Sequence, residues 1–72
     1  MIYDNVVEIA VKKNLTIHAV EVKAGLANGT VRKWNTPDAN PQMNNLAAVA
    51  AVLGVSVNRL LKSKEDIKNA RP

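Results

Sequence analysis

Residues 14–34 contain two short helical patterns that are joined at Gly25. Val20 lies before the glycine, and Val31 and Trp34 lie after it, at spacings that place them on the facing sides of two helices. A glycine between two such patterns can adopt the backbone conformation of a tight turn, so that the helices meet at a steep angle over shared apolar contacts. The sequence therefore predicts a helix-turn-helix, and this unit constrains how the rest of the chain can fold.

The remaining pattern is also helical. Valine recurs at helical spacings and does not alternate with polar residues, which predicts an all-α fold, a compact five-helix bundle. The expected helices cover residues 4–13, 16–24, 27–35 and 42–53, with a short fifth helix after Ser56, and Asp4, Thr16 and Ser56 are the expected N-caps. The expected core consists of Val6, Ile9, Ala10, Val31, Trp34, Leu46, Val49, Ala50, Leu53, Val57, Leu60 and Leu61.

The length and charge of the chain limit its organisation. With 72 residues it is long enough for one small domain. Ten basic and six acidic residues give a net charge of +4, and the excess lies mainly in residues 41–72. Such an excess favours a polyanionic partner. We expect a folded domain over residues 1–61, followed by a basic tail over residues 62–72 that is flexible or forms a short helix.

The residue types argue against catalysis and metal binding. There is no cysteine, and His18 is the only histidine, which we expect at the surface. The carboxylates are spread along separate predicted helices, so no nucleophile–base pair, metal-ligand spacing or phosphate-binding loop is recognisable. We therefore expect no enzyme activity, no cofactor and no small-molecule ligand. The absence of a signal peptide and of a long apolar stretch predicts a cytoplasmic protein.

The second half of the predicted helix-turn-helix carries side chains suited to DNA. Asn28 is a residue type that can contact base edges, and Arg32 and Lys33 can contact base edges or phosphates. An alternative for Asn28 is a helix cap, and an alternative for Arg32 and Lys33 is a solvated helix face. Trp34 could stack on a base, but its spacing from Val31 favours the core.

At two places the sequence resembles the Cro/phage-repressor (XRE) helix-turn-helix family. The first is Gly25–Asn35, which is similar to the recognition helix of a subgroup from low-GC bacteria and their temperate phages, and the second is Leu53–Leu61. The resemblance implies that the third helix enters the major groove and that the start of the second helix, at Thr16, binds a phosphate. By position, it implies base or backbone contacts for Asn28, Gly29, Thr30, Arg32 and Lys33.

The predicted surface is unusually apolar for such a domain. On the first helix, Tyr3, Val7 and Val11 form a second apolar ridge away from the core stripe. Residues 46–53 contain no polar side chain, and a helix that is apolar all round is normally covered on more than one side. We therefore expect a protein partner, either a second copy or another regulator. The expected interface residues are Tyr3, Val7, Val11, Val22, Ala48 and Val52.

These features support two main hypotheses and a third. In the first, the protein is a transcriptional regulator of a phage-type genetic switch that binds operator double-stranded DNA through the third helix, as a dimer. In the second, it is a repressor modulator or antirepressor that binds the DNA-binding domain of another repressor. A third hypothesis is an antitoxin, because many antitoxins use this fold.

Overall fold

A computed structural model describes residues 1–62. These residues form four α-helices and one turn of 3₁₀ helix, and they contain no strand. In chain order they are α1 (Ile2–Lys12), α2 (Ile17–Lys23), the 3₁₀ helix (Arg32–Trp34), α3 (Met43–Leu53) and α4 (Val57–Leu61). The all-α prediction is confirmed. The predicted basic tail, apart from Lys62, lies outside the described residues.

Most helix ends fall where the sequence supplies a suitable capping residue. The Thr16 hydroxyl accepts the backbone N–H of Ala19 at 3.0 Å and thereby caps α2, as predicted. The Ser56 hydroxyl caps α4 in the same way, over a distance of 3.2 Å to the backbone nitrogen of Arg59. Gly54 ends α3 in the left-handed conformation, with φ of 70°.

The predicted start of α1 is wrong by two residues. The helix begins at Ile2 and its N-cap is Met1, so Asp4 lies in the first turn and is not the cap. The Asp4 carboxylate accepts a hydrogen bond from the amino terminus at 3.3 Å. A carboxylate in the first turn interacts favourably with the positive end of the helix dipole, which explains why Asp4 suits this position as well.

The core lies between α1, α2, α3 and α4 and matches the predicted apolar positions closely. The buried apolar side chains are Val6, Ile9, Ala10, Val20, Val31, Trp34, Leu46, Val49, Ala50, Leu53 and Leu60. Val57 is only partly buried and packs against this cluster. Leu61 is 47% exposed, so its predicted place in the core is wrong. The five-residue helix α4 turns Leu60 inward, and its neighbour Leu61 consequently points away from the core.

Polar contacts that the sequence did not predict join α4 and the residue after it to α1. Asn5 is 3% exposed, and its side-chain amide donates to the backbone carbonyl of Leu60 at 2.7 Å and to that of Lys62. Arg59 forms a 2.9 Å ion pair with Glu8. Asn5 thus satisfies carbonyl groups that the end of a helix leaves without partners, which fixes the end of α4 against α1.

The third predicted helix is wrong, and with it the five-helix bundle. Residues 28–31 form turns, and only Arg32–Trp34 is helical, as a single 3₁₀ turn. Gly29 has a φ of 90°, which lies outside the α-helical region and interrupts the helix at its start. No helix within residues 1–62 has the length and apolar character needed to cross a membrane.

Candidate nucleic-acid interface

The candidate site is the basic segment, defined here as residues 28–33, which follows the turn after α2. Gly25 lies two residues after the last residue of α2 and has a φ of 73°, as the sequence predicted for the turn. The Thr30 hydroxyl donates to the backbone carbonyl of Ala27 at 2.7 Å. The backbone N–H of Thr30 bonds to the same carbonyl at 3.1 Å. The basic segment therefore begins with a compact turn that its own polar groups stabilise.

The 3₁₀ turn at the end of the basic segment separates buried from exposed side chains. A 3₁₀ helix has three residues per turn, so residues three apart lie on the same side. Val31 is fully buried and Trp34 is 5% exposed, and both belong to the core as predicted. Arg32 and Lys33, which lie between them, are exposed. The two cationic side chains are thus presented to solvent from a backbone that is anchored on both sides.

Glu21 holds the basic segment from inside the protein. Its side chain is 1% exposed, and its carboxylate accepts the backbone N–H of Gly29 at 3.1 Å and that of Val31 at 2.8 Å. Burial raises the pKa of Glu21, but the N–H groups of Gly29, Val31 and Arg32, together with the Arg32 charge, lower the pKa by more. Glu21 is therefore ionised at neutral pH and acts as an internal anion.

The buried glutamate also explains why the third predicted helix is not an α-helix. In an α-helix over residues 27–35, the N–H of Val31 would point to the carbonyl of Ala27, four residues earlier. Here the left-handed Gly29 turns the N–H groups of residues 29 and 31 toward one point, which the Glu21 carboxylate occupies. This role of Glu21 was not predicted from the sequence. One feature of the sequence does indicate a buried carboxylate: Glu21 lies four residues after Ile17 and three before Ala24, on the apolar face of α2.

The structure places the predicted DNA-contacting residues in two groups. Asn28, Arg32 and Lys33 are exposed. Gly29 and Thr30 are partly buried, and their polar hydrogens are used in contacts within the protein. Thr16 is exposed, and its hydroxyl acts as the N-cap of α2. DNA contact by each of these residues stays a prediction.

The charges near the basic segment are arranged so that the positive ones face outward. Neither Arg32 nor Lys33 forms a salt bridge with a side chain in residues 1–62. Glu21 is turned inward, and Glu8 is engaged by Arg59. The exposed face of the basic segment is therefore positive, although the described part of the chain has only a modest excess of basic residues.

The predicted protein interface is only partly exposed. Val11 is 65% exposed and Val22 is 62% exposed, so these two valines are open to solvent as expected. The other four predicted interface residues, Tyr3, Val7, Ala48 and Val52, are partly buried. Tyr3 and Val52 pack against the core, which explains why those apolar positions need no partner to be covered. His18 is exposed, as predicted.

Comparison of the chain with known protein families, with curated proteins and with solved structures finds no match. Within residues 1–62, no three side chains among the histidines and carboxylates lie close enough together to hold a metal ion. The features of the described residues that suggest a function are the basic segment and the exposed Val11 and Val22.

Proposed function

We propose that the protein is a regulator of transcription that binds operator double-stranded DNA through the basic segment, and that it belongs to the phage-repressor helix-turn-helix family. The supporting observation is the adjacent exposure of Arg32 and Lys33 on a backbone that Val31 and Trp34 anchor in the core. A backbone held in this way loses little conformational freedom when its side chains bind, which favours affinity.

The three exposed side chains of the basic segment, Asn28, Arg32 and Lys33, differ in whether they favour affinity for DNA or specificity for its sequence. Lys33 supplies a point charge for the phosphate backbone, which gives affinity that falls with salt. Arg32 has a planar group that can donate two hydrogen bonds to guanine or to a phosphate. Asn28 can bond to adenine in the major groove. Because the basic segment is a turn with one 3₁₀ turn, its contact with DNA is shorter than that of a regular recognition helix.

The experiment is a selection from random-sequence duplexes, followed by fluorescence anisotropy titrations of the selected duplex. We expect Arg32→Ala to abolish the preference for the selected duplex, because a lost guanine contact costs about 1–3 kcal/mol, which is a factor of roughly 5 to 150 in affinity. We also expect the logarithm of wild-type affinity to fall linearly with the logarithm of salt concentration.

The matched control for Arg32→Ala is Lys62→Ala, which removes the same charge from an exposed position outside the basic segment. It should leave the sequence preference intact. Equal binding of selected and random duplexes by the wild-type protein would contradict operator recognition.

A second candidate function is supported by the exposure of Val11 and Val22 on neighbouring helices. Here the protein acts as a modulator that docks an apolar surface on the DNA-binding domain of another repressor. An apolar surface that is open to solvent can mark a site for a protein partner.

The second candidate predicts the loss of partner capture when charge is placed on this surface. We expect Val11→Asp or Val22→Asp to prevent co-purification with the repressor encoded beside this protein, while the circular dichroism spectrum is unchanged. Asn58→Asp adds a negative charge at an exposed position of α4 and should leave capture intact. Capture of the repressor by Val11→Asp and by Val22→Asp at the wild-type level would argue against this candidate.

A further inference from the structure

We propose that Glu21 is a positioning residue for DNA recognition, because its carboxylate fixes the backbone of the basic segment in a single conformation from which Arg32 and Lys33 are presented together. This inference rests on the proposed function. It assigns a role in binding to a residue that is buried and cannot itself touch DNA.

Two hydrogen bonds from the basic segment converge on the Glu21 side chain. The two carboxylate oxygens of Glu21 accept separate N–H groups, one at Gly29 and one at Val31. These residues stand on either side of Thr30, so both ends of the turn are held from a single point. Glu21 itself lies on α2, whose start is fixed by the Thr16 cap. The position of the basic segment is therefore set by a helix of the bundle.

Without this carboxylate, the basic segment would lose the acceptor that fixes its conformation. The left-handed Gly29 has no partner for its N–H other than Glu21 within the described residues. With the acceptor removed, the backbone N–H groups of residues 29 and 31 gain by turning to water, since buried N–H groups are costly when they are unpaired. The backbone that carries Arg32 would then sample several conformations. Each of these would have to be ordered again when DNA binds, which lowers the affinity.

The negative charge of Glu21 lies beside the basic segment but is not exposed. An exposed carboxylate beside the basic segment would repel phosphates, but Glu21 is buried and bonded to two N–H groups. The Arg32 charge helps to lower the pKa of Glu21, but the two side chains form no salt bridge. Glu21 can therefore hold the backbone of the basic segment without presenting an opposing charge to the DNA.

The informative variant is Glu21→Gln, which keeps the size of the side chain and removes one acceptor. The glutamine oxygen can accept one of the two N–H groups, but its NH₂ group is a donor and cannot accept the other. We expect at least a tenfold loss of affinity for the selected duplex. We also expect faster amide hydrogen exchange at Gly29 and Val31, measured by NMR on the folded protein. Protection should fall by more at these two amides than at amides elsewhere in the bundle, which lose at most the protection that corresponds to the drop in global stability.

The control separates positioning from a general loss of stability. Ser56→Ala removes the cap of α4, outside the basic segment, and should destabilise the fold while the folded protein keeps its wild-type affinity. If Glu21→Gln also binds the selected duplex with wild-type affinity, the positioning role is wrong, although operator binding stands. If the wild-type protein binds no duplex selectively, operator binding fails and the positioning role fails with it.

Discussion

Replacing Glu21 with alanine is expected to lower the free energy of unfolding by about 3 to 5 kcal/mol at neutral pH. The substitution leaves the N–H groups of Gly29 and Val31 without their acceptor, and hydrogen bonds to a charged group contribute about 1.5 to 3 kcal/mol each. It also empties a buried site that is 1% exposed in the wild-type protein. A domain of this size has a total stability of roughly 4 to 11 kcal/mol, so the variant is expected to lose at least about a quarter of it and, at the lower end of that range, to unfold.

The stabilisation by Glu21 also has a defined pH dependence. Its pKa in the folded protein is lowered, so the contribution is present above the unfolded-state value of about 4.3 and is lost as the pH falls through the lower folded-state value. Urea unfolding followed by circular dichroism at several pH values measures this contribution. Glu21→Gln is the reference, because it cannot titrate.

The difference in stability between the wild-type protein and Glu21→Gln should be largest near neutral pH and should shrink in acid. The other carboxylates of the chain are the same in both proteins, so their titration cancels in this comparison to a first approximation. A difference that stays constant from neutral pH to pH 2, or a loss below about 1 kcal/mol for Glu21→Ala, would contradict an ionised carboxylate that holds the basic segment.

The part of the fold that follows from periodic apolar residues could be predicted from the sequence. Leu46, Val49, Ala50 and Leu53 recur at helical spacing, and all four are buried in α3. The N-caps at Thr16 and Ser56 could also be predicted, because a short hydroxyl side chain before a helical pattern has a local role that depends little on the rest of the fold. Local patterns therefore located all four α-helices within about two residues at their starts.

The conformation of the basic segment could not be predicted in the same way. The apolar spacing of Val31 and Trp34 fits both an α-helix and a 3₁₀ turn, since three residues separate them in either case. The choice depends on Glu21, which lies eight residues before Gly29 and acts through the tertiary fold. Helical periodicity does not reveal which buried acceptor will compete with the helical hydrogen bonds.

The surface was harder to predict for a related reason. Tyr3 and Val7 follow the same helical spacing as Val11, yet only Val11 is open to solvent. The exposure of a residue at the edge of a helical stripe depends on the neighbouring elements that cover it, and α4 lies against α1. The candidate DNA-contacting residues were easier to locate, because cationic side chains beside a buried position are exposed in either type of helix.

Replacing Trp34 with alanine is expected to lower the free energy of unfolding by about 3 to 5 kcal/mol, which is the usual cost of truncating a buried tryptophan. Trp34 is 5% exposed and is the last residue of the 3₁₀ turn, so its side chain holds the end of the basic segment on the core. The measurement is urea unfolding followed by circular dichroism, since the variant has no tryptophan left as a fluorescent probe.

Trp34→Phe distinguishes anchoring in the core from stacking on a DNA base. Phenylalanine fills much of the same space, so it should recover most of the lost stability and leave the affinity for the selected duplex close to the wild-type value. A base-stacking role predicts the opposite pattern, in which Trp34→Ala keeps its stability and loses affinity. The aromatic ring faces inward, whereas Arg32 and Lys33 face outward. Trp34→Ala should therefore lower the free energy of unfolding, and it should weaken DNA binding only because less of the protein is folded.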